Sequence, residues 1–316
     1  MPDGGSLMHN AGVISATWSD FPLNALSTIS YDLIVDNVVT PEQMIQNTVN
    51  INWSSMPGNP TEERDGMTSD NHGITITASG LQKIVFNTSV VNTGTAISGP
   101  EDDVTIGEEV TYRITATLPE GTTPNAVMVD QLPNTVALMD VVSSQIISVG
   151  NITGVAAGTV GAASDSNADT YNDVVTWNLG NLTNVPDGVS NGNDQIVFEV
   201  VAVVVDEPVN QTLIDNVTNN ATFTSDGGSS TANVDIDIVE PIVTVNKETI
   251  PNSITADAGD QLTYRLTIDH AANSTADAFN ISAVDVLPNP GTSWINDATV
   301  GGTCSNIVVD SSGDPT

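Results

Sequence analysis

Residues Gly107 to Pro133 read GEEVTYRITATLPEGTTPNAVMVDQLP, and the chain returns to that theme from Gly259 to Pro288 as GDQLTYRLTIDHAANSTADAFNISAVDVLP. Gly107 corresponds to Gly259, Tyr112 to Tyr264, Arg113 to Arg265, Asp130 to Asp285, and Leu132-Pro133 to Leu287-Pro288. A unit that recurs at this spacing predicts an array of similar domains. Inside it, Val110, Tyr112 and Ile114 alternate with polar residues, as do Val234, Ile236 and Ile238 further on. Alternation with period two places one side chain in the core and the next outside, which is the pattern of a half-buried strand. Other short runs rich in Val, Ile and Thr (GITITASG, DVVTWNLGNL, DQIVFEVVAVVV) are separated by Asn, Gly, Asp and Ser clusters, and no segment sustains a helical period. The predicted fold is all-β: tandem immunoglobulin-like antiparallel β-sandwich domains.

The repeat also sets the expected boundaries. Trp18 aligns with Trp177, Val35-Asp36 with Val205-Asp206, Trp53 with Phe223, and Lys83 with Lys247. The offset drifts along the chain because loops vary in length where strands do not. Residues 1–79 therefore read as the C-terminal half of one domain, 80–240 as a complete domain, and 241–316 as the N-terminal half of a further, truncated one. A half-domain leaves apolar faces without an opposing sheet. Trp18, Trp53 and Trp177 all fall at expected core positions.

The 316 residues carry 39 acidic and 5 basic side chains, a formal charge of -34. A field of that sign repels nucleic acid and anionic membrane; the array itself makes neighbouring repeat domains of the same chain the expected partners. With 39% hydrophobic residues in regular runs, the chain has enough apolar material to fold. It contains no apolar run of membrane-spanning length, so membrane insertion is not expected, and its first residues lack the features of a signal peptide. Its single cysteine, Cys304, excludes an internal disulfide.

A Lys-bearing strand, then Gly-Asp/Glu-x-x-Thr-Tyr-x-Ile/Leu, then Val-x-Asp-x-Leu-Pro, occurs twice. The first set is Lys83, Gly107 to Ile114 and Val129 to Pro133; the second is Lys247, Gly259 to Leu266 and Val284 to Pro288. A Trp-x-Leu-Gly-x-Leu element follows at Trp177 to Leu182, and an Asn-x-Ala-x-Phe strand at Asn219 to Phe223. In this order the elements resemble the bacterial surface-protein conserved-repeat domain (domain of unknown function eleven) and the related fimbrial isopeptide-forming D2 domain. The resemblance implies a secreted or cell-surface stalk or adhesin of β-sandwich modules, without enzymatic turnover. It also implies a cysteine partner for Cys304 beyond Thr316.

The few cations recur at matching places: Lys83 with Lys247, and Arg113 with Arg265. Together with the resemblance, this points to an intramolecular isopeptide bond. A lysine buried in an apolar core has its charged form disfavoured and becomes nucleophilic, while a carboxyl kept protonated by burial can polarise an Asn carboxamide. In the complete domain the candidates are Lys83 as nucleophile, Asp130 as acid and Asn219 as acceptor. Asn216 and Asn220 stand as alternatives, because register cannot be read to one residue. Lys247 and Asp285 are their counterparts in the next repeat. The competing reading makes Lys83 an edge-strand charge that discourages sheet-to-sheet pairing. Arg113 and Arg265, facing opposite to the repeated tyrosine, are expected either in outer-face ion pairs or as solvated strand residues.

No cofactor is required, but calcium is a candidate. Asp165, Asn167, Asp169 and Asp173 place oxygens at alternate positions, as the first half of a calcium loop does; the competing reading is an Asx-rich turn before the strand at Val174. Residues Pro100 to Asp103 form a second acidic stretch, read as a solvated loop. The alternative function is a calcium-stabilised ligand- or glycan-binding β-sandwich, tempered by an aromatic content of 4%. His9, His72 and His270 are not spaced for a metal site, and no nucleophile elbow or phosphate loop appears, so an enzyme is not expected.

Overall fold

The computed structural model describes residues 5–285 apart from 59–60, 91–92, 94–101, 136–137, 212, 253–254, 258–259 and 261. Cys304, Leu287-Pro288, Gly259 and the start of the acidic stretch (100–101) lie outside the described residues. The elements are strands, with two single-turn 3-10 segments at Gly192–Asp194 and Pro208–Asn210.

A sandwich occupies the middle of the chain. Its strands are β5 (Gly80–Thr88), β6 (Asp102–Val104), β7 (Glu109–Thr117), β8 (Gly121–Gln131), β9 (Met139–Ser148), β10 (Ile152–Thr153), β11 (Ala162–Ser164), β12 (Val174–Asn184), β13 (Gln195–Val204), β14 (Ile214–Ser225) and β15 (Gly228–Ile238). Before it run the hairpins β1 (Ser6–Asn10) with β2 (Val13–Thr17) and β3 (Met44–Ser54) with β4 (Asp65–Thr75); after it comes the hairpin of β16 (Val243–Ile250) and β17 (Thr263–His270). One sheet has the order β5-β7-β13-β9; the other runs β10-β12-β8-β14-β15-β6, with β11 also on β12. Pairing is antiparallel except for β15 with β6. The fold is thus all-β, with two sheets face to face.

Alternation in the sequence becomes alternation in burial. Along β7, Val110, Tyr112, Ile114 and Ala116 are fully buried while the residues between them are not, and β13 repeats this with Ile196, Phe198, Val200, Ala202 and Val204. Trp177 on β12 meets Phe198 across the sandwich with ring centroids 5.0 Å apart and planes tilted by 59°, an arrangement that favours aromatic rings beyond the area they bury. The β14–β15 turn is the two-residue Asp226-Gly227, the composition that a tight hairpin demands.

Among the described residues no sheet opposes the flanking hairpins, and their side chains show it. Trp53, expected in a core, is 52% exposed on β3; its ring lies over Gly66, the residue paired with it on β4. Trp18 is half-buried and packs edge-on against Phe21. The acidic stretch also departs from expectation, because Asp102 and Asp103 belong to β6 rather than to a loop. Asp103 pairs with Asp237, and burial, reinforced by the charges of Asp237 and Asp102, raises its carboxyl to about 6.

The boundaries read at 79/80 and 240/241 fall in the connections between β4 and β5 and between β15 and β16. At the first, Val39 O accepts from Thr122 N at 2.9 Å. A Cβ on Gly121 would stand 2.6 Å from that oxygen, so only glycine, at φ +124°, admits the contact. At the second, the Glu240 carboxylate accepts from Thr105 Oγ1 and Ile106 N, while its backbone pairs with Thr275. Compact units divide between Asp277 and Ala278.

Candidate functional site

Three side chains from three strands meet in the sandwich interior. β5 is an edge strand, yet Lys83 points inward, because it lies opposite the buried Ile114 on β7 and shares its face with Leu81 and Val85. Asp130 sits on the core face of β8 with Met128 and Ala126. Register places Asp130 opposite Ala221 on β14, so Asn219, two residues from Ala221, is its diagonal neighbour on the same face. Lys83 is 5% exposed, and Asp130 and Asn219 are 0% exposed. The lysine Nζ contacts Asp130 Oδ1 and stands 5.1 Å from the centroid of the Tyr112 ring.

The competing register is resolved by the same strand. Asn216 and Asn220 are exposed on β14, facing away from the core that takes in Val217, Asn219, Ala221 and Phe223. Asn216 has φ 57° at the β14 irregularity and donates its N–H to Asp237. Neither can present its carboxamide to Lys83, which removes both as alternatives on geometric grounds. The edge-charge reading of Lys83 fails likewise, because its side chain is inside.

Burial governs the electrostatics. It pushes the Lys83 ammonium down from 10.5 to about 8 even though Asp130 pulls the other way. Burial likewise raises the Asp130 carboxyl against the opposing influence of Lys83 and Asn219. Both shifts have one cause: desolvation weakens the charged form of each group. The polar inventory is incomplete as well. Asp130 Oδ2 and both carboxamide atoms of Asn219 are buried without a hydrogen bond of ordinary geometry, although Asn219 lies close enough to influence the ionisation of Asp130 and Tyr112. Each orphaned buried polar atom costs about 1–3 kcal/mol, so three at one point call for an explanation in chemistry.

In the next repeat, Lys247 pairs with Leu266 as Lys83 does with Ile114, and its Nζ is 4.8 Å from the Tyr264 centroid. Here the lysine is exposed. Asp285 is exposed and lies in no strand. On the outer faces, Arg113 Nε meets Glu199 Oε2 at 3.1 Å and its guanidinium covers Phe86 at 3.2 Å, while Arg265 pairs with Glu248. Both arginines thus form cross-strand ion pairs.

The candidate calcium loop spends its oxygens on itself. Asp165 accepts from the N–H groups of Asn167, Ala168 and Thr170, Asn167 from Asp169, and Asp169 from Tyr171. Those N–H groups, Thr170 foremost, hold the Asp165 carboxyl below its ordinary value. Asp173 points elsewhere, accepting from Ser166 and Asn134. Among the described residues no group of three or more His, Cys, Asp or Glu is arranged to hold a metal ion. These bonds are those of consecutive Asx turns.

Tyr112 is the member of the site that sequence reasoning used only as a repeat marker. Its signal was present: it recurs as Tyr264, two residues before the partner of each lysine.

No family model and no curated protein matches this chain. Among solved structures, the C-terminal domain of the Streptococcus pyogenes antigen I/II-family protein AspA aligns at 16% identity with a TM-score of 0.34, covering 55% of this chain and 50% of that one. BcpA, the major pilin subunit of Bacillus cereus, aligns at 10% and 0.31, covering 69% of this chain and 66% of that one. The full-length major pilin SpaD from Corynebacterium diphtheriae aligns at 17% and 0.28, covering 59% of this chain and 40% of that one. This chain spans about half the length of the first of these. Similarity at this level says nothing of what the chain does. No helix among the described residues is long and apolar enough to cross a membrane.

Proposed function

We propose that the sandwich is a structural module of a cell-surface or secreted array, a stalk or adhesin repeat without turnover, locked by an amide bond between Lys83 and Asn219. The observation that carries this is the fully buried trio of an amine, an acid and a carboxamide, with the carboxamide lacking any ordinary hydrogen bond. The neutral Lys83 Nζ attacks Asn219 Cγ. The Nζ–Cγ bond forms, the Cγ–Nδ2 bond breaks, and Asp130 carries a proton from Nζ to the departing nitrogen, which leaves as ammonia. One amide replaces an amine and a carboxamide, so the core loses polar atoms that it could not satisfy.

The reaction runs once and serves stability rather than catalysis. The -34 charge keeps such modules soluble and mutually repelling, and their partners are the neighbouring repeats of the same chain. Intact-mass measurement of the denatured full chain tests the bond. A deficit of one ammonia, with fragmentation linking the peptides of Lys83 and Asn219, is expected; the full sequence mass would overturn the proposal.

A further inference from the structure

We propose that Gly121, Gly227 and Gly228 form a seat on the sandwich for the repeat that precedes it, docking the β3–β4 hairpin through the loop Val39 to Glu42 in place of a free linker. This rests on reading the chain as an array and does not depend on the Lys83–Asn219 bond. The seat begins where β8 outruns its neighbour. β14 turns away at Asp226, whose N–H donates to Pro124 O at 3.1 Å. Proline has no N–H of its own, so the next donor along that edge of β8 is Thr122, two residues back and on the same side. An unpaired strand edge is ordinarily covered. Here the cover is the loop: Val39 O accepts from Thr122 N at 2.9 Å, and Asn37 O accepts from Thr122 Oγ1 at 3.1 Å.

The loop meets the seat at close quarters. Residues 31–38 are all exposed, whereas Val39 and Pro41 are buried. Val39, Pro41 and Glu42 each come down on a glycine, and the Val39 carbonyl is the group that Gly121 admits. A Cβ on Gly227 would stand 2.6 Å from Pro41 O and 3.1 Å from Pro41 Cβ and Cδ, and one on Gly228 would stand 2.7 Å from Glu42 Oε2. Close packing of this kind leaves no room for a methyl group. Glu42 itself takes φ +60°, a conformation uncommon for a residue with a side chain. The loop is also tied to the hairpin behind it, because Glu42 N donates to Ile76 O and Ile76 N donates to Gln43 O across the base of β3 and β4. Further along, Ser230 Oγ on β15 donates to Ser79 O. What rests on the glycines therefore carries the hairpin with it.

The test is hydrogen exchange of the full chain, read at single amides by NMR, in wild type and Gly227→Ala. The φ of Gly227 lies outside the left-handed region, so alanine sets a methyl group against Pro41 without straining the backbone of the turn. Thr122 N–H reports the docked loop, and Asp226 N–H reports the β14–β15 turn. In Gly227→Ala the Thr122 amide is expected to exchange roughly 10-fold faster or more, while Asp226 keeps its protection. Protection kept at both would overturn the seat, because the loop would stay docked without it. Protection lost at both would overturn it too, by assigning Gly227 to the turn alone. An unprotected Thr122 amide in wild type would show a free linker and overturn the proposal outright. The mass of the chain decides the Lys83–Asn219 bond separately, so either can fail while the other stands.

Discussion

Lys83 and Lys247 are the same residue in the same register, yet they inhabit different chemistry. Each lies opposite an apolar residue two positions after a tyrosine, and each amine rests about equally far from that tyrosine's ring. Hairpin pairing alone therefore reproduces the lysine–tyrosine contact. What it does not reproduce is burial: Lys83 is buried against Asp130 of the opposing sheet, and Lys247 is exposed. A local pattern sets which groups face one another, and the second sheet changes what those groups can do. The acid and the carboxamide come from that second sheet, so the bond proposed above requires the completed sandwich.

The sharpest way to break this contrast is to remove each lysine in turn. Lys83→Ala should abolish the mass deficit. By analogy with closing a loop of this length with a disulfide, it should cost about 5 kcal/mol, a fall of roughly 10–20 °C in the sandwich melting temperature. Lys247→Ala should leave that transition where it is. Equal effects would mean that burial does not distinguish the two sites.

Packing gives the next largest difference. In the Lys83→Ala background, Phe198→Ala should cost about 3–5 kcal/mol in urea melts, through the cavity left beside Trp177. Ile268→Ala, at a position 43% exposed on β17, should stay within about 0.5 kcal/mol. A large loss at Ile268 would show that the hairpin packs against something substantial in solution.

Titration sharpens the comparison further. Asn219→Ala cannot close the bond and leaves Lys83 titratable. The Lys83 pKa is about 8 in the fold against 10.5 ordinarily, so between those values the unfolded chain binds more protons and stability rises with pH. The rise should approach on the order of 3 kcal/mol and be missing from Lys83→Ala/Asn219→Ala. Asp130 acts oppositely at lower pH: its raised carboxyl makes the fold lose stability as pH climbs from 3.8 through the raised value. A flat difference between the two variants from pH 8 to 10.5 would contradict the desolvation of Lys83.

The smallest contrast lies on the outer faces. Glu199→Gln and Glu248→Gln should each change stability by about 1 kcal/mol or less. The Glu199 effect should be the larger and the less sensitive to salt, because the Arg113 and Glu199 side chains are 31% and 19% exposed against 59% and 30% for Arg265 and Glu248. The reverse order would mean that exposure does not rank these pairs.

The strands were legible in the sequence because alternation is a one-dimensional record of two faces, as Val110, Tyr112 and Ile114 illustrate. The repeat made Lys83 and Asp130 legible by reusing them. Asn219 could be read only to within a residue or so, since period two makes neighbouring asparagines equivalent in composition and opposite in orientation; register on β8 decides between them. Trp53 was misplaced for a related reason: an apolar position declares a face and does not supply what covers it. The loop from Asp165 to Asp173 reads two ways because calcium and backbone N–H groups ask for the same oxygens. Tyr112 went unremarked beside Lys83, since their contact exists only once β5 and β7 are paired.

Lys83 and Asn219 both bear on the Asp130 carboxylate although they stand 136 positions apart in the chain. Pulled taut, that stretch would span roughly 450–490 Å. With the amide closed, tension entering at β5 passes to β14 through a few covalent bonds, and none of that length can be released. Stretching such a module would then lengthen only its short outer ends, so a single extension trace would report the chemistry of its core.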